Sequence, residues 1–202
     1  MEIFTEKRAE DFLEKEGFEI VERVFIENEK ELKKATEKIG FPLAMKISSN
    51  KIIHKTKSKG VEINISNYEE ALKIFNKFKL KEGFDGVLIQ KMIEGTEFLI
   101  GLKKTKEFGH VIVFGVGGIY TEKLKETSFR VCPIQEKDAE KMIDEIKSFK
   151  LLDKKTKDKI IINILKTCKL AEKYPKITEL DINPLIINEN QGKIVDVRIV
   201  FE

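Results

Sequence analysis

Apolar residues in the first half of the chain recur alternately at helical spacing and in short continuous runs. We predict helices that begin after Thr5, Asn28 and Asn67, because these side chains cap helix N-termini and an apolar stripe of helical period follows each of them. Gly17 and Gly40 end the first two helices. The apolar runs at 18–25, 43–47 and 61–65 are predicted strands.

The second half has a different order of elements. Strand-like runs follow one another at 87–92, 97–103 and 110–114, which predicts a meander within one sheet. Two helical stripes and a closing pair of strands come next. The inward residues of these helices are Ala139, Met142, Ile143 and Ile146 in the first, and Ile161, Ile164, Leu165 and Cys168 in the second. Because strands and helices do not alternate strictly, we predict an α+β fold with two lobes, 1–84 and 85–202, rather than a doubly wound parallel sheet.

Composition and charge narrow the class of protein. The 202 residues include 38 Lys plus Arg and 35 Asp plus Glu, so the net charge of +3 comes from a nearly balanced mixture and does not predict nucleic-acid binding. Neither a bilayer-spanning apolar run nor a secretory leader pattern is visible, so we expect a cytoplasmic protein without membrane association. Cys132 and Cys168 are isolated, and we expect two buried small apolar side chains rather than a zinc site or a disulfide.

The closing strands carry polar side chains where strands are usually apolar. Glu179, Asp181 and Asn183 lie among Leu and Ile, and Asp196 follows after a turn. Asp and Asn are depleted in strands because their side chains compete for backbone hydrogen bonds, so their presence here suggests a function. In a hairpin, Asn183 and Asp196 can point to the same side, and one carboxylate with one amide suits Mg²⁺ held mainly by phosphates. A hairpin with a solvated polar face explains the pattern equally well.

Lys46 and the loop after it are candidates for binding phosphate. Lys46 interrupts an apolar strand, where a charge is costly unless it meets a partner such as a phosphate; a lysine on the solvated face of the strand is the alternative. The loop 48–60 concentrates hydroxyls, lysines and His54, whose imidazole can act as an acid, a base or a nucleophile toward phosphate. No aromatic residue lies between Lys46 and Asn67 to stack a base, which argues against nucleic acid.

Two further segments can approach a ligand. Gly115, Gly117 and Gly118 close a predicted strand, where a backbone can come near phosphate, although a wide turn between strands accounts for them as well. Arg130 lies in a strand-like segment and can bind phosphate or form a surface ion pair. Neither segment matches a Walker or dinucleotide-binding motif, so the residues alone leave both alternatives open.

Taken in order, these segments resemble the β subunit of the ADP-forming acyl-CoA synthetases of the acetyl-CoA synthetase type, which are ATP-grasp proteins related to succinyl-CoA synthetase. The resemblance covers nearly the whole chain. It rests on segments 40–47, 53–55, 87–92 with Gly95 and Glu97, 114–119, 128–131, 179–185 and Asp196. Each motif is weak by itself, whereas the ordered set is specific.

The resemblance implies an ATP-grasp fold, in which two α+β lobes close on ATP or ADP with Mg²⁺. The implied nucleotide-binding residues are Lys46, Gln90, Lys91, Met92, Ile93, Glu97, Gly117 and Gly118. Of these, Lys46 would hold phosphates, and the segment 90–93 would be a hinge whose backbone meets the adenine. Asn183 and Asp196 match the Mg²⁺ ligands of the related succinyl enzymes.

His54 and Arg130 are the implied catalytic residues. His54 matches the histidine that carries phosphate between the partner subunit and ADP, and Arg130 would contact the path of the phosphoryl group. Such an enzyme converts acyl-CoA, ADP and phosphate into the free acid, CoA and ATP. Acyl transfer would take place on a separate CoA-binding α subunit, in a hetero-oligomer such as α2β2, so the β chain alone would not carry out the full reaction.

The chain departs from the family at two places. After His54 the family has an Asp and two nearby glycines. In this chain the Asp and one of the glycines are replaced by Lys57 and Lys59. The family's Gly-x-Arg-Gly stretch after Leu152 is replaced by Asp153-Lys154-Lys155. A loop without its glycine can bind ATP and fail to relay phosphate. A non-catalytic nucleotide-binding subunit and another carboxylate ligase of the same fold therefore stay as alternatives.

Overall fold

A computed structural model describes residues 1–49, 60–118 and 126–202 of the chain. The described helices are α1 (Glu6–Lys15), α2 (Glu29–Ile39), α3 (Tyr68–Lys79), α4 (Glu136–Asp144) and α5 (Lys154–Lys173), with a 3₁₀ turn at Lys147–Phe149. The described strands are β1 (Glu2–Ile3), β2 (Arg23–Ile26), β3 (Leu43–Ser49), β4 (Val61–Ile65), β5 (Phe84–Lys91), β6 (Thr96–Thr105), β7 (Gly109–Val116), β8 (Thr127–Val131), β9 (Ile177–Ile187), β10 (Gly192–Ile194) and β11 (Val197–Phe201).

The first three helices begin where the sequence predicts them. Thr5 Oγ1 accepts a hydrogen bond from a first-turn N–H of α1 at 3.4 Å, and Asn67 Oδ1 accepts one in α3 at 2.9 Å. The predicted capping box is present at the start of α2. These bonds satisfy N–H groups that a helix leaves without an internal partner, which fixes where each helix starts.

The larger of two compact units, Met1–Ile20 with Glu94–Glu202, is built on a seven-stranded antiparallel sheet. Its strand order is β1-β11-β9-β6-β7-β8, and β10 pairs with β9. Helices α4 and α5 pack on one face of this sheet. The core on that face includes Ile100, Leu102, Ile112, Phe114, Leu180 and Ile182 from the strands, and Met142, Ile143, Ile160 and Ile164 from the helices. Side chains that alternate with these strand residues therefore point to the opposite face, called here the open face.

The smaller unit, Val21–Ile93, has a four-stranded antiparallel sheet in the order β2-β5-β3-β4. Its core lies between this sheet and helices α2 and α3. The core includes Leu43, Met45, Ile47, Val87 and Ile89 from the strands, and Leu32, Ala35, Phe75 and Phe78 from the helices. Both units combine antiparallel strands with helices on one face, which confirms the predicted α+β class.

The predicted meander is wrong for its first strand. The run at 87–92 belongs to β5, which pairs with β2 and β3 in the smaller unit, so the meander consists of β6, β7 and β8. The predicted strand at 18–25 is also too long, because β2 begins at Arg23. Residues 18–20 belong to the larger unit, where the Ile194 N–H donates to the Glu19 carbonyl at 2.8 Å.

The observed division of the chain differs from the predicted lobes 1–84 and 85–202. Strand β1 pairs with β11 and α1 contacts the same strand, so the first twenty residues belong with the larger unit. Strand β5 extends the smaller unit to Ile93. Both differences come from pairing between segments that are distant in sequence, which local patterns do not report.

The prediction for the two cysteines needs correction. Cys132 and Cys168 form a disulfide, with their Cα atoms 5.7 Å apart and a sequence separation of 36. Cys168 is buried in α5 as predicted, whereas Cys132 follows β8 and is half-buried. Sequence spacing could not reveal the pair, because the contact depends on the packing of α5 beside the edge of the sheet.

Candidate functional site

The two predicted metal ligands lie side by side at the end of the larger sheet. The Asn183 N–H donates to the Asp196 carbonyl at 3.1 Å. The neighbouring residues Ile182 and Val197 are register partners in β9 and β11, and both are buried in the core. Because side chains alternate along strands, Asn183 points away from the buried Ile182 and toward the open face. The predicted pairing of the two backbones is present, and the placement of the Asp196 side chain on the same face stays a prediction.

The glycine segment after β7 contacts Asn183 and the neighbouring strand β6. The Gly118 N–H donates to Asn183 Oδ1 at 2.8 Å, and the Gly117 N–H donates to the Glu97 carbonyl at 3.0 Å. Glu97 and Asn183 lie in β6 and β9, the two glycines follow β7, and Asp196 directly precedes β11. The structure joins residues that the sequence offered as separate candidates.

The donor set fits a hard cation that keeps other ligands. Among the described residues, no group of three or more His, Cys, Asp or Glu side chains could hold a metal by itself. An amide oxygen from Asn183 and a carboxylate from Asp196 supply two oxygen ligands, and Mg²⁺ commonly takes one or two protein oxygens together with phosphates and water. The residues present are consistent with Mg²⁺ bound together with a nucleotide.

Asp181 and Glu179 share the open face with Asn183. Glu179 is neutralised by Lys103 at 3.4 Å and by Arg198 at 3.3 Å, so it is a supporting residue of the sheet surface. Water reaches Asp181, yet the surrounding protein removes enough hydration to raise the pKa of its carboxyl group despite the attraction of Arg198. The sequence predicts Glu179 and Asp181 as supporting or solvated groups, and the position of Asp181 two residues before Asn183 places both side chains on one face.

Arg130 is held by a carboxylate on the other face of the sheet. Its guanidinium donates to both oxygens of Glu145, at 2.6 and 3.2 Å, and Ser128 hydrogen-bonds the same carboxylate. The hydrogen bond from Arg130, reinforced by Ser128, lowers the pKa of Glu145. Arg130 is the register partner of the buried Ile112, which places it on the helix-covered face. This geometry favours the ion-pair interpretation, and a phosphate contact by Arg130 stays a prediction.

In the smaller unit, Lys46 and Gln90 share the sheet face that α2 and α3 do not cover. Lys46 is 4% exposed and Gln90 is 1% exposed. Gln90 pairs with Ala44 in the sheet, and Ala44 lies two residues before Lys46, so all three alternate to the same side. The low exposure of Lys46 does not fit a lysine on a solvated strand face. A buried ammonium group requires an electrostatic partner. The phosphate interpretation supplies one when a nucleotide is bound.

The predicted hinge lies where the chain leaves the smaller unit. Lys91 ends β5, its N–H donates to the Glu22 carbonyl at 2.9 Å, and Met92 and Ile93 follow without regular structure. The smaller unit ends at Ile93, and the larger unit resumes at Glu94. This position suits a connecting segment, although an adenine contact stays a prediction. His54, Lys57 and Lys59 lie outside the described residues.

Comparison with known families agrees with the two-sheet architecture. The profile of the ATP-grasp domain matches residues 1–201. The fold and the match define the class of this chain as an ATP-grasp protein, as the sequence motifs predicted. No helix in the described ranges combines the length and apolarity that crossing a membrane requires.

Individual relatives narrow the family. The chain is 37% identical to subunit beta of acetate–CoA ligase [ADP-forming] I from Pyrococcus furiosus, over 98% of this chain and 91% of that subunit. It is 34% identical to acetate–CoA ligase [ADP-forming] II from Archaeoglobus fulgidus, but spans 30% of that longer protein. Acetyl-coenzyme A synthetase 1 of Ca. Korarchaeum cryptofilum, solved with coenzyme A and Ca-AMPCP, superposes with a TM-score of 0.90 at 30% identity, over 99% of this chain and 93% of that one. The chain belongs to the β-subunit family of the ADP-forming acetate–CoA ligases.

Proposed function

We propose that this chain is the nucleotide-binding subunit of an ADP-forming acyl-CoA synthetase, and that it moves phosphate between a histidine and ADP to make ATP. The observation that carries the proposal is a pair of hydrogen bonds in the larger unit. The Gly118 N–H donates to Asn183 Oδ1 at 2.8 Å, and the Asn183 N–H donates to the Asp196 carbonyl at 3.1 Å. Two segments predicted independently to serve phosphate and metal are joined there. Membership of the β-subunit family supports the same reaction.

Each candidate has a chemical task that suits its residue type. Lys46 neutralises phosphate charge, the backbone of 90–93 contacts the adenine, and Asn183 with Asp196 holds Mg²⁺. When bound, Mg²⁺ supplies neutralisation of the charge that develops on the transferred phosphoryl group. His54 takes the phosphoryl group from the partner subunit, because neutral imidazole is nucleophilic, and its N–P bond then breaks as an oxygen of ADP accepts the group to form ATP.

A partner subunit completes the proposed enzyme. The Pyrococcus relative is named as a subunit beta, and the Archaeoglobus relative carries the matching region within a chain more than three times as long. The proposed partner binds CoA and performs acyl transfer, as the sequence resemblance implies. Association of the two subunits is expected in the cytoplasm, and an α2β2 assembly is the proposed arrangement.

Nucleotide binding by the isolated chain is the first test. Isothermal titration with ADP and ATP, with and without Mg²⁺, should show binding that strengthens with the metal. Asn183→Ala and Asp196→Asn should weaken the metal-dependent part at least about 10-fold, since losses of 10–100-fold already follow removal of groups that only support a ligand. Asn76→Ala and Asp158→Asn, at exposed helix positions, are matched controls that should bind as the wild type does. Equal binding by all five proteins would refute the metal assignment.

Phosphate relay is tested with the partner present. The two subunits, an acyl-CoA, ADP, Mg²⁺ and phosphate should produce ATP, and His54→Ala should abolish production while leaving nucleotide affinity unchanged. Labelled ATP should also transfer its γ-phosphate to the wild-type chain as an acid-labile phosphohistidine. ATP production by His54→Ala would remove the histidine from the mechanism.

A second function is favoured by Lys57 and Lys59, which stand where the family has an Asp and a glycine. Such a chain would bind nucleotide and regulate or assemble a complex without turnover. Tight Mg²⁺-dependent ATP binding without any labelled phosphohistidine, even beside the partner subunit, would select this function. Reverting Lys57→Asp together with Lys59→Gly should then restore labelling.

A further inference from the structure

The backbone turns sharply at Gly118, directly beside Asn183. Gly118 has a φ of +67°, and its N–H donates to Asn183 Oδ1 at 2.8 Å. An amide side chain has an oxygen and an NH₂ group of nearly equal shape, and its hydrogen bonds decide which one faces a given direction. The Gly118 N–H therefore fixes the orientation of the Asn183 amide.

The two glycines at this turn are constrained in different ways. A Cβ at Gly117 would lie 2.5–2.7 Å from three backbone atoms of Phe98, so close packing requires a glycine there. A Cβ at Gly118 would overlap the Glu97 carboxylate, the end of a flexible side chain, so a side chain at 118 would have to displace that carboxylate. The N–H of Gly118 can reach Asn183 in this geometry because no side chain at 117 or 118 separates the turn from β6.

Gly109 provides a contrast within the same sheet. Its φ of +69° is nearly that of Gly118, yet a Cβ built at Gly109 would meet no atom within 4 Å. Both positions therefore penalise a side chain through backbone strain by similar amounts. The additional constraint at Gly118 comes from Glu97 and Asn183.

We propose that Gly118 is a positioning residue for the metal site, and that the Glu97 carboxylate beside it makes this position sensitive to any added side chain. The inference rests on the proposed function, in which Asn183 is a Mg²⁺ ligand. An amide oxygen has two lone pairs, so Oδ1 accepts the Gly118 N–H with one and offers the other to the cation. Hydrogen bonds to a metal ligand orient it and raise metal affinity, and their loss weakens binding about 10–100-fold.

Mn²⁺ is a suitable probe, because it favours the same oxygen ligands as Mg²⁺ and is detected by electron paramagnetic resonance. Gly118→Ala should weaken Mn²⁺ binding to the ADP-loaded chain about 10–100-fold. Gly109→Ala, with matched φ, should lose a similar part of its thermal stability and keep wild-type Mn²⁺ affinity. Asn183→Ala should lose Mn²⁺ affinity at least as strongly as Gly118→Ala.

A cycle with Glu97→Ala separates positioning from general damage. Adding Gly118→Ala to Glu97→Ala should cost much less Mn²⁺ affinity than adding it to the wild type, because the overlapping carboxylate is gone. Equal losses in both backgrounds, or a Gly118→Ala affinity equal to that of Gly109→Ala, would overturn the inference while Asn183→Ala still confirms the metal site. Wild-type Mn²⁺ affinity in Asn183→Ala would instead overturn the proposed function, and the positioning role with it.

Discussion

The two faces of the larger sheet use polar residues in opposite ways. Arg130 lies in one row with Ile112, Leu102 and Leu180, and these three apolar residues are buried in the core beneath helices α4 and α5. Its charge is balanced there by Glu145 of the same unit. Asn183 points to the open face, where its partner is a backbone N–H and where an oxygen ligand can still accept a metal.

This difference shows that the function of a polar residue in a strand cannot be assigned until the sheet face to which it points is known. Arg130 and Asn183 are equally unusual in an apolar strand, and both were candidates for the same phosphoryl chemistry. Alternation along β8 and β9 separates them, since successive side chains point to opposite sides. On the helix-covered face a charge needs a partner within the fold, whereas on the open face a ligand can be that partner.

Truncation of one side chain on each face should give the largest measurable contrast. Phe114 is fully buried and stacks near Phe98 and Phe149, so Phe114→Ala should lower the free energy of unfolding by about 3–5 kcal/mol. The adjacent Val113 points to the open face and is half-buried, so Val113→Ala should cost about 1 kcal/mol or less. Denaturant unfolding measures both. Equal losses would mean that the open face is packed as tightly as the covered one.

The disulfide strengthens the helix-covered face alone, and its reduction should give the next largest effect. The bond joins the residue after β8 to α5 and closes a loop over a separation of 36 residues, for which chain entropy predicts about 3–4 kcal/mol of stabilisation. A reductant should therefore lower the Tm of the wild type by about 6–15 °C. Cys132→Ser should melt near the reduced wild type and should not respond to reductant.

The stability of the double cysteine variant distinguishes a disulfide from two cysteines that act independently. With a disulfide, Cys132→Ser combined with Cys168→Ala should be little less stable than Cys168→Ala alone, because Cys168→Ala by itself already removes the bond. Full thiol labelling of the unreduced, unfolded wild type, together with additive losses, would show that the two residues act separately.

Local patterns in the sequence predicted those parts of the fold that depend on neighbouring residues. Caps at Thr5, Asn28 and Asn67 identified helix starts, and alternation identified most strands. The pairing of β5 with β2 and β3, the return of β1 to β11 and the Cys132–Cys168 contact were missed. Each of these joins segments far apart in sequence, and the free energy that selects them comes from packing in the finished core rather than from local propensity.

The candidate site shows the same limit. Asn183 and Asp196 could be paired from the hairpin pattern, because register and alternation follow from adjacent strands. The contact between Gly118 and Asn183 could not be predicted, since it links residues 65 positions apart. Glu145 was also missed as the partner of Arg130, because an exposed Glu on a helix carries no signal until the strand beside it is known.

The smallest expected effect tests whether the Arg130 pair is structural, through its dependence on pH. Hydrogen bonds from Arg130 and Ser128 lower the pKa of Glu145 below its ordinary value of 4.5, so the folded state binds this proton less readily than the unfolded chain. The resulting stability is fully present above that ordinary pKa and is lost as the pH falls through the lower folded pKa.

Because the Glu145 side chain is 50% exposed, the gain at neutral pH should be about 1 kcal/mol or less. Glu145→Gln keeps a hydrogen-bond acceptor but not the charge, so wild type and variant should differ in denaturant unfolding at pH 7 and converge as the pH falls through the lowered pKa of Glu145. A difference that stays constant as the pH falls would contradict an ion pair in the fold, and would return Arg130 to the open question of a phosphate contact.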